Sequence, residues 1–197
     1  MADARYYISL ALLTTLPGAF VYWFSLHGFI QFWRRLGLRL TATVHVTVIV
    51  LLGLAIFHWR GALLSVQFGT NRFLIAAGVL LVVLSIAMRV QVSKELSTRT
   101  LIGLPEIAPG TFQSRLLTDG IYSRMRHPRY TEIFMALNGW ALIANYLAIY
   151  ALVLLTAAAL LGVVLLEEKE LRERFGTEYE AYARRVPRFV PARTRKR

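Results

Sequence analysis

The chain has 197 residues, of which 56% are hydrophobic, and it carries a formal net charge of +12 at pH 7 without a single cysteine. The lack of cysteine excludes disulfide bonds, thiolate metal sites and cysteine nucleophiles. A strongly basic chain can serve nucleic acid or a membrane surface, and the long apolar runs of this chain favour the membrane over nucleic acid.

Five apolar segments follow one another and predict an all-α integral membrane protein. They are residues 6–33, 40–59, 73–90, 130–144 and 146–166. Most are long enough to cross a hydrocarbon core, which needs roughly 20 apolar residues. The fourth segment is shorter, so we expect it to be tilted, or to form with the fifth a hairpin that stops short of the far side. The uncharged turn at Asn145 predicts that this C-terminal helical hairpin is tight.

Basic residues are unevenly divided between the two ends of these segments. Lys and Arg follow the first and third segments and fill the tail after Leu166, whereas only Arg5, Arg60 and Arg72 would fall on the other side. The positive-inside rule therefore predicts an external amino terminus and a cytoplasmic tail with short helices. The net charge also predicts affinity for anionic membrane lipids. We divide the chain into N-terminal transmembrane helices, residues 1–90, and a region with the larger polar stretches, residues 91–197.

A basic motif stands directly before the fourth apolar segment. Pro128 suits the first turn of a helix, because its ring presets φ and its missing N–H would be unpaired there anyway. Arg126 and His127 precede it, and the helix start adds unpaired amides and a positive dipole end. These features predict a site for an anionic group at the membrane surface.

An acidic pair, Glu167 and Glu168, stands where the fifth segment leaves the apolar layer. These residues either hold a ligand or a buried partner, or belong to a solvated helix with weak surface ion pairs, and we favour the first interpretation. Farther on, Gly176 fits the end of a helix and Thr177 starts a second short helix that Pro187 ends. The four histidines are far apart and form no H-x-x-x-H pair, so we predict no metal site.

These motifs, in this order, resemble the isoprenylcysteine carboxyl methyltransferases, and in part the phospholipid N-methyltransferases. The resemblance covers residues 116–191, whereas the amino-terminal half is similar only in its helical membrane segments. The motifs that carry it are Gly120-Ile121-Tyr122, Arg126-His127-Pro128-Arg129-Tyr130, the short hairpin, Glu167-Glu168, Phe175-Gly176-Thr177-Glu178-Tyr179, Tyr182 and Arg185-Val186-Pro187.

The resemblance implies an integral membrane enzyme that uses S-adenosylmethionine and a lipophilic substrate from the bilayer, with residues 91–197 as its catalytic region. It implies a cytoplasm-facing pocket between the Arg-His-Pro stretch and the acidic pair. The residues then expected to bind the cofactor are Tyr122, Arg126, His127, Pro128, Tyr130, Glu167 and Glu168, with residues 101–107 covering the adenine.

Two positions depart from the family pattern. Val163 stands four residues before the acidic pair, where the isoprenylcysteine enzymes carry an arginine associated with the substrate carboxylate. This departure argues for an acceptor with an amine, hydroxyl or other uncharged nucleophile, and an amine or hydroxyl would need a base. The candidate base is Glu168 or Glu132, the latter standing where a small residue is common. Arg129 and Arg185 are the nearest candidates to replace the missing arginine.

Two other functions remain open at this point. Sterol C14-reductases share part of the Arg-His-Pro region, so the chain is alternatively a membrane reductase that uses NADPH. It is otherwise a non-catalytic membrane protein that keeps only the fold. Stabilisation by S-adenosylhomocysteine or by NADPH distinguishes these alternatives.

Overall fold

All the regular elements of the described chain are helices. The structure is a computed structural model that describes residues 2–96 and 115–190. The α-helices are α1 (Ala2–Gly28), α2 (Ile30–Leu36), α3 (Leu38–His58), α4 (Arg60–Leu63), α5 (Arg72–Glu95), α6 (Pro128–Ala144) and α7 (Leu147–Arg185). A 3₁₀ helix, Gly120–Ser123, precedes α6. The predicted cover of the adenine, residues 101–107, lies outside the described residues.

Within residues 2–96 and 115–190, four helices, α1, α3, α5 and α7, are long and apolar enough to cross a membrane. This confirms the prediction of an all-α membrane protein. The first predicted segment was too long, because α1 ends at Gly28 and a separate helix, α2, follows it. The break lies at Phe29, whose φ of −129° and ψ of 35° are not helical. Arg34 and Arg35 fall in the last turn of α2, which suits the polar edge of a membrane rather than its interior.

The predicted hairpin is formed by α6 and α7. Helix α6 has 17 residues and ends at Asn145, which adopts the left-handed conformation with φ 56° and ψ 49°. Asparagine is one of the few residues that enter this region readily. Its side-chain amide donates to the carbonyl oxygen of Gly69 at 2.9 Å. The turn is therefore as tight as the sequence indicates, and it is fastened to the loop before α5.

Helices α5 and α6 pack with their backbones in close contact. A Cβ atom added to Gly139 would lie 2.7 Å from the carbonyl oxygen of Gly78, and one added to Gly78 would lie 2.5 Å from that of Gly139. Small residues at facing positions allow this close approach of membrane helices. The contact fixes the position of α6, and with it the motif at its amino end.

The end of the bundle with the α6–α7 turn is held by a buried arginine from α1. Arg5 is 4% exposed, and its Nε donates to the carbonyl oxygen of Ala144 at 2.8 Å. Its guanidinium also lies 5.4 Å from the centre of the Tyr146 ring. The polar motifs of the carboxyl-terminal half gather at the opposite end of the bundle.

Helix α7 passes through a break near that opposite end. Gly176 has φ 51° and ψ −126°, a conformation that only glycine adopts readily. The predicted end of one helix at Gly176 is therefore confirmed as a break. The helix resumes and ends at Arg185, two residues before Pro187. The break turns Tyr179 and Tyr182 back towards the bundle, where both are buried.

Candidate active site

The loop before α6 is ordered by one glycine and one tyrosine hydroxyl. Gly120 has a φ of 55°, and a side chain there would collide with the carboxylate of Glu95. The hydroxyl of Tyr182 donates to the carbonyl oxygen of Tyr122 at 2.7 Å. Burial, with the charge of Glu167 adding to it, raises the pKa of the Tyr122 phenol above its usual range. The loop thus holds a neutral, buried tyrosine beside the start of α6.

Pro128 is the first residue of α6, as predicted, and His127 is its N-cap. The amides of the two preceding residues bond to a segment that follows α7, residues 187–189, which we call the strap. The N–H of Arg126 donates to the carbonyl oxygen of Pro187 at 2.8 Å. The N–H of His127 donates to the carbonyl oxygen of Arg188 at 2.9 Å. The strap therefore pairs with the Arg-His-Pro motif through the main chain.

Glu168 is the centre of a buried ion cluster. Its carboxylate is fully buried and lies 3.1 Å from both Arg126 Nη2 and His127 Nε2. Arg188 of the strap donates to both carboxylate oxygens, at 3.0 and 2.9 Å, and Arg172 approaches to 3.4 Å. Burial acts to raise the pKa of this carboxyl group. The hydrogen bonds from His127 and Arg188 outweigh burial and hold the pKa well below its usual range.

A pocket opens beside this cluster, between the loop, α1, α6 and α7. The predicted site residues Tyr122, Arg126, His127, Arg129, Tyr130 and Glu167 all line it. Its walls also contain Trp23, His27, Leu96, Arg115, Leu116, Leu117, Leu171, Arg174, Phe175, Tyr179 and Tyr182. The structure thus brings together residues from the first and last membrane helices.

The other predicted site residues lie elsewhere among the described residues. Pro128, Glu132 and Glu168 are not in the pocket walls. Glu132 Oε2 lies 3.7 Å from Arg89 Nη1 of α5, and its side chain is 12% exposed. Val163, the position without the family arginine, is 1% exposed in an apolar cluster with Tyr130. Glu132 and Glu168 are therefore engaged in ion pairs outside the pocket.

The two neighbouring glutamates differ in environment. Glu167 is 32% exposed and its carboxylate lies 3.8 Å from His127 Nδ1. Glu167 Oε2, Arg126 Nε and Tyr179 Oη are buried atoms of the pocket walls without a hydrogen-bond partner among the described residues. Buried polar groups normally find a partner, so a carboxylate, a guanidinium and a phenol here suit a ligand that carries both charges and hydroxyls.

Sequence reasoning missed two pocket residues on α1. The Arg129 guanidinium lies 4.5 Å from the centre of the Trp23 ring, and His27 stacks on that ring at 5.3 Å and 15°. His27 Nδ1 lies 3.4 Å from Glu170 Oε2, and Arg34 of α2 lies 3.6 Å from the other oxygen of Glu170. The sequence signal was weak, since Trp23 has the pattern of an interfacial belt residue and His27 stands alone.

An apolar groove adjoins the pocket along α6 and α7. It is lined by Tyr130, Thr131, Phe134, Ala157, Leu160, Leu161 and Phe189, and its exposed lining surface is entirely apolar. Tyr130 belongs to both the pocket and the groove. Phe189 is part of the strap, and its ring centre lies 6.0 Å from that of His127. The charged pocket and the apolar groove therefore meet at Tyr130.

Comparison with known proteins agrees with this arrangement. The model of the phospholipid methyltransferase family matches residues 73–178, which contain α5, α6 and most of α7. The chain is 35% identical over 77 residues to a protein-S-isoprenylcysteine O-methyltransferase of Schizosaccharomyces pombe, covering 39% of this chain and 33% of that protein. It is 31% identical over 78 residues to protein-S-isoprenylcysteine O-methyltransferase B of Arabidopsis thaliana, covering 39% and 40%.

Another similar protein is named for metal resistance and not for methyl transfer. A nickel-cobalt-cadmium resistance protein of Alcaligenes xylosoxydans xylosoxydans is 33% identical over 82 residues, covering 42% of this chain and 38% of that protein. The chain therefore spans well under half the length of each of these relatives. No solved structure gives a significant match.

Proposed function

Because the chain belongs to the phospholipid methyltransferase family, we propose that it is a membrane enzyme that transfers a methyl group from S-adenosylmethionine to a lipophilic acceptor. One observation carries this proposal, namely that a pocket with both acidic and basic walls meets an apolar groove at Tyr130. A charged, water-soluble donor fits the pocket, and a lipid chain fits the groove. Methyl transfer requires these two substrates to meet end to end.

In this proposal different pocket residues bind the differently charged groups of the methyl donor. Arg126 and His127 are the groups for its carboxylate, and Glu167 is the group for its ammonium or ribose hydroxyls. Tyr130 is the candidate wall for the adenine. S-adenosylmethionine supplies a methyl group that its sulfonium already activates, so the protein contributes alignment and exclusion of water. Glu168 has a positioning role in this proposal, because it holds Arg126 and His127 in place.

The groove favours an acceptor that reaches the site from the bilayer. Leu160 and Leu161 belong to the apolar part of α7, so a lipid chain lying against them is still within the hydrophobic layer. The neighbouring Val163 is buried and apolar, and an unpaired substrate carboxylate beside it would be costly. We therefore propose that the acceptor is not a prenylcysteine carboxylate. If the acceptor were a prenylcysteine carboxylate, Arg129 in the pocket wall would have to replace the missing arginine.

We propose the orientation of the protein from the distribution of its charges. The pocket end of the bundle contains Arg34, Arg126, Arg174 and Arg188, whereas Arg5 is the buried arginine of the other end. By the positive-inside rule the pocket and the tail face the cytoplasm, where soluble S-adenosylmethionine is made available to the site.

The test is ligand binding followed by methyl transfer with purified protein in detergent. S-adenosylhomocysteine at about a hundredfold excess over its Kd should stabilise the protein by roughly 2.7 kcal/mol, whereas NADPH should not. Labelled S-adenosylmethionine is then supplied with phosphatidylethanolamine, a long-chain alcohol or a farnesylcysteine analogue. Stabilisation by NADPH alone would point to a membrane reductase, and a failure to bind both S-adenosylmethionine and S-adenosylhomocysteine would refute the proposal. Methylation of the farnesylcysteine carboxylate alone would refute the acceptor class.

A further inference from the structure

We propose that His27 is the general base of this enzyme, and that its acceptor is therefore a group with a proton to lose, an amine or a hydroxyl. The inference rests on the proposed methyl transfer and names the class of its acceptor. It concerns α1, which lies outside the residues that match the family. The observations are the stacking of His27, its contact with Glu170 and its position in the pocket wall.

The first observation is that the His27 ring is held in one orientation. It lies in the last turn of α1 with a side chain that is 3% exposed. Trp23, one helical turn earlier, stacks on it with ring centres 5.3 Å apart and planes 15° apart. Arg129 of α6 fixes the indole from a distance of 4.5 Å. A base must be held in place to accept a proton in a defined direction.

The second observation is that Glu170 selects the tautomer. Its Oε2 lies 3.4 Å from His27 Nδ1, and Arg34 Nη2 lies 3.6 Å from its other oxygen. Burial acts to raise the pKa of this carboxyl group, but His27 and then Arg34 outweigh burial and lower the pKa. An ionised carboxylate only accepts hydrogen bonds, so Nδ1 carries a proton, and in the neutral imidazole that this proposal requires Nε2 carries the lone pair. The same carboxylate stabilises the imidazolium that forms when Nε2 takes up a proton. This is the usual arrangement of a base oriented by a third group.

The third observation is that His27 shares a wall with the groups proposed for the donor. His27, Glu167 and Tyr130 line one pocket, and Tyr130 also faces the apolar groove. The glutamates considered from the sequence do not share this position. Among the described residues, Glu132 is paired with Arg89 outside the wall and Glu168 is surrounded by cations. The carboxylate of Glu168, held by Arg126 and Arg188, is a weak base, and Glu132 lies outside the pocket wall, whereas a neutral imidazole in the wall suits a reaction near pH 7.

The proposed step balances in atoms and charge. The lone pair of the acceptor nitrogen or oxygen forms a bond to the methyl carbon, and the carbon–sulfur bond breaks with its electron pair remaining on the sulfur. The sulfonium becomes a neutral thioether. The proton of the acceptor passes to Nε2 of His27 and then to solvent. Glu170 is a positioning residue, because it acts through His27.

The test compares His27→Gln with His58→Gln, a control at an exposed histidine on α3. The wild-type protein should methylate phosphatidylethanolamine or a long-chain alcohol, with kcat falling on the acid side as His27 becomes protonated. His27→Gln should lower kcat by about a hundredfold or more and should abolish this acid limb. Its affinity for S-adenosylhomocysteine should change far less. Glu170→Gln should shift the acid limb, whereas Glu173→Gln should not.

Other ionisable groups of the pocket wall could also produce an acid limb in the pH profile, so the limb has to be assigned to His27 by a separate measurement. They are the pocket tyrosines and Arg115, Arg126, His127, Arg129, Glu167 and Arg174. A readout without substrate makes this assignment. Because the chain has only four histidines, ¹⁵N NMR of labelled histidine can resolve His27, which should be the Nδ1–H tautomer in the wild-type protein. In Glu170→Gln the preference for this tautomer should be lost. An Nε2–H tautomer would overturn the inference.

Failure of this inference is distinguishable from failure of the proposed function. If the wild-type protein methylates a lipid and His27→Gln matches its kcat at every pH, only the role of His27 is overturned. If His27→Gln changes donor affinity alone, the residue belongs to donor binding and the inference is likewise overturned. If the wild-type protein binds no S-adenosylhomocysteine, the proposed function itself fails, and the inference with it.

Discussion

Replacing Glu168 by glutamine should destabilise the protein more than any other loss of one carboxylate charge described above. The side chain keeps its shape, but the negative charge that Arg126, His127 and Arg188 surround within 3.1 Å is lost. One end of the new amide would also present N–H donors to guanidinium donors. Two guanidinium groups and the His127 ring would then stand together around a neutral group that is fully buried.

The magnitude follows from the burial of each partner. Removing one member of a buried ion pair costs about 3–5 kcal/mol. The Arg126 and His127 side chains are 9% and 3% exposed and cannot reach water easily, whereas Arg188 is 44% exposed and can. We therefore expect the lower part of that range, about 3 kcal/mol. For a chain of this size this corresponds to a fall in Tm of about 6–12 °C.

The measurement is the apparent Tm of the detergent-solubilised protein, followed by tryptophan fluorescence at one scan rate, since membrane proteins often unfold irreversibly. The matched control is Glu173→Gln, because Glu173 is 67% exposed and pairs with Lys169 at 4.0 Å, a contact worth about 1 kcal/mol or less. Limited proteolysis should also cleave after Arg188 faster in Glu168→Gln, because the strap loses its anchor. Equal Tm values for the two variants would show that the ion cluster does not hold this end of the protein together.

Three further predictions concern single positions. Glu167→Gln should weaken binding of S-adenosylhomocysteine about ten- to a hundredfold by calorimetry with little change in Tm; unchanged affinity would remove Glu167 from the donor site. Gly139→Ala should lower the free energy of unfolding by about 1–3 kcal/mol in thermal melts, because the new Cβ atom forces Gly78 away. Gly61→Ala is the control, since nothing lies near its Cβ position. Equal effects of the two substitutions would contradict the close packing of α5 and α6. Asn145→Ala should lower Tm more than Asn145→Gly, because alanine in the left-handed region costs roughly 1–2 kcal/mol; the reverse order would contradict the strained turn.

Local signals in the sequence predicted the local structure correctly. Pro128 begins α6, Asn145 makes the tight turn and Gly176 breaks α7, because each of these residues has a strong conformational preference that few neighbours can override. The predicted first segment ran past Gly28 because hydropathy alone does not detect a short helix that turns aside at the membrane edge.

The division of roles between Glu167 and Glu168 could not be predicted, although both were identified. Neighbouring helical residues point about 100° apart, so one carboxylate faces the pocket and the other enters the ion cluster. Which is which depends on how α7 is rotated against α6 and the strap. That rotation is set by long-range packing, as is the approach of His27, which lies 143 positions before its partner Glu170 in the chain.

The pairing of the strap with the Arg-His-Pro motif has a consequence for biosynthesis. The amides of Arg126 and His127 bond to carbonyl groups about 60 residues later in the chain, after α6 and α7 have been made. Since chains are synthesised from the amino terminus at about 5–20 residues per second, α6 is available for several seconds before the strap leaves the ribosome. Both helices can therefore insert first, and the Arg-His-Pro motif gains these bonds only when the strap has been made. A nascent chain that stops before the strap lacks these bonds and the contacts of Arg188 with Glu168, so assembly of the ion cluster waits for synthesis of the strap.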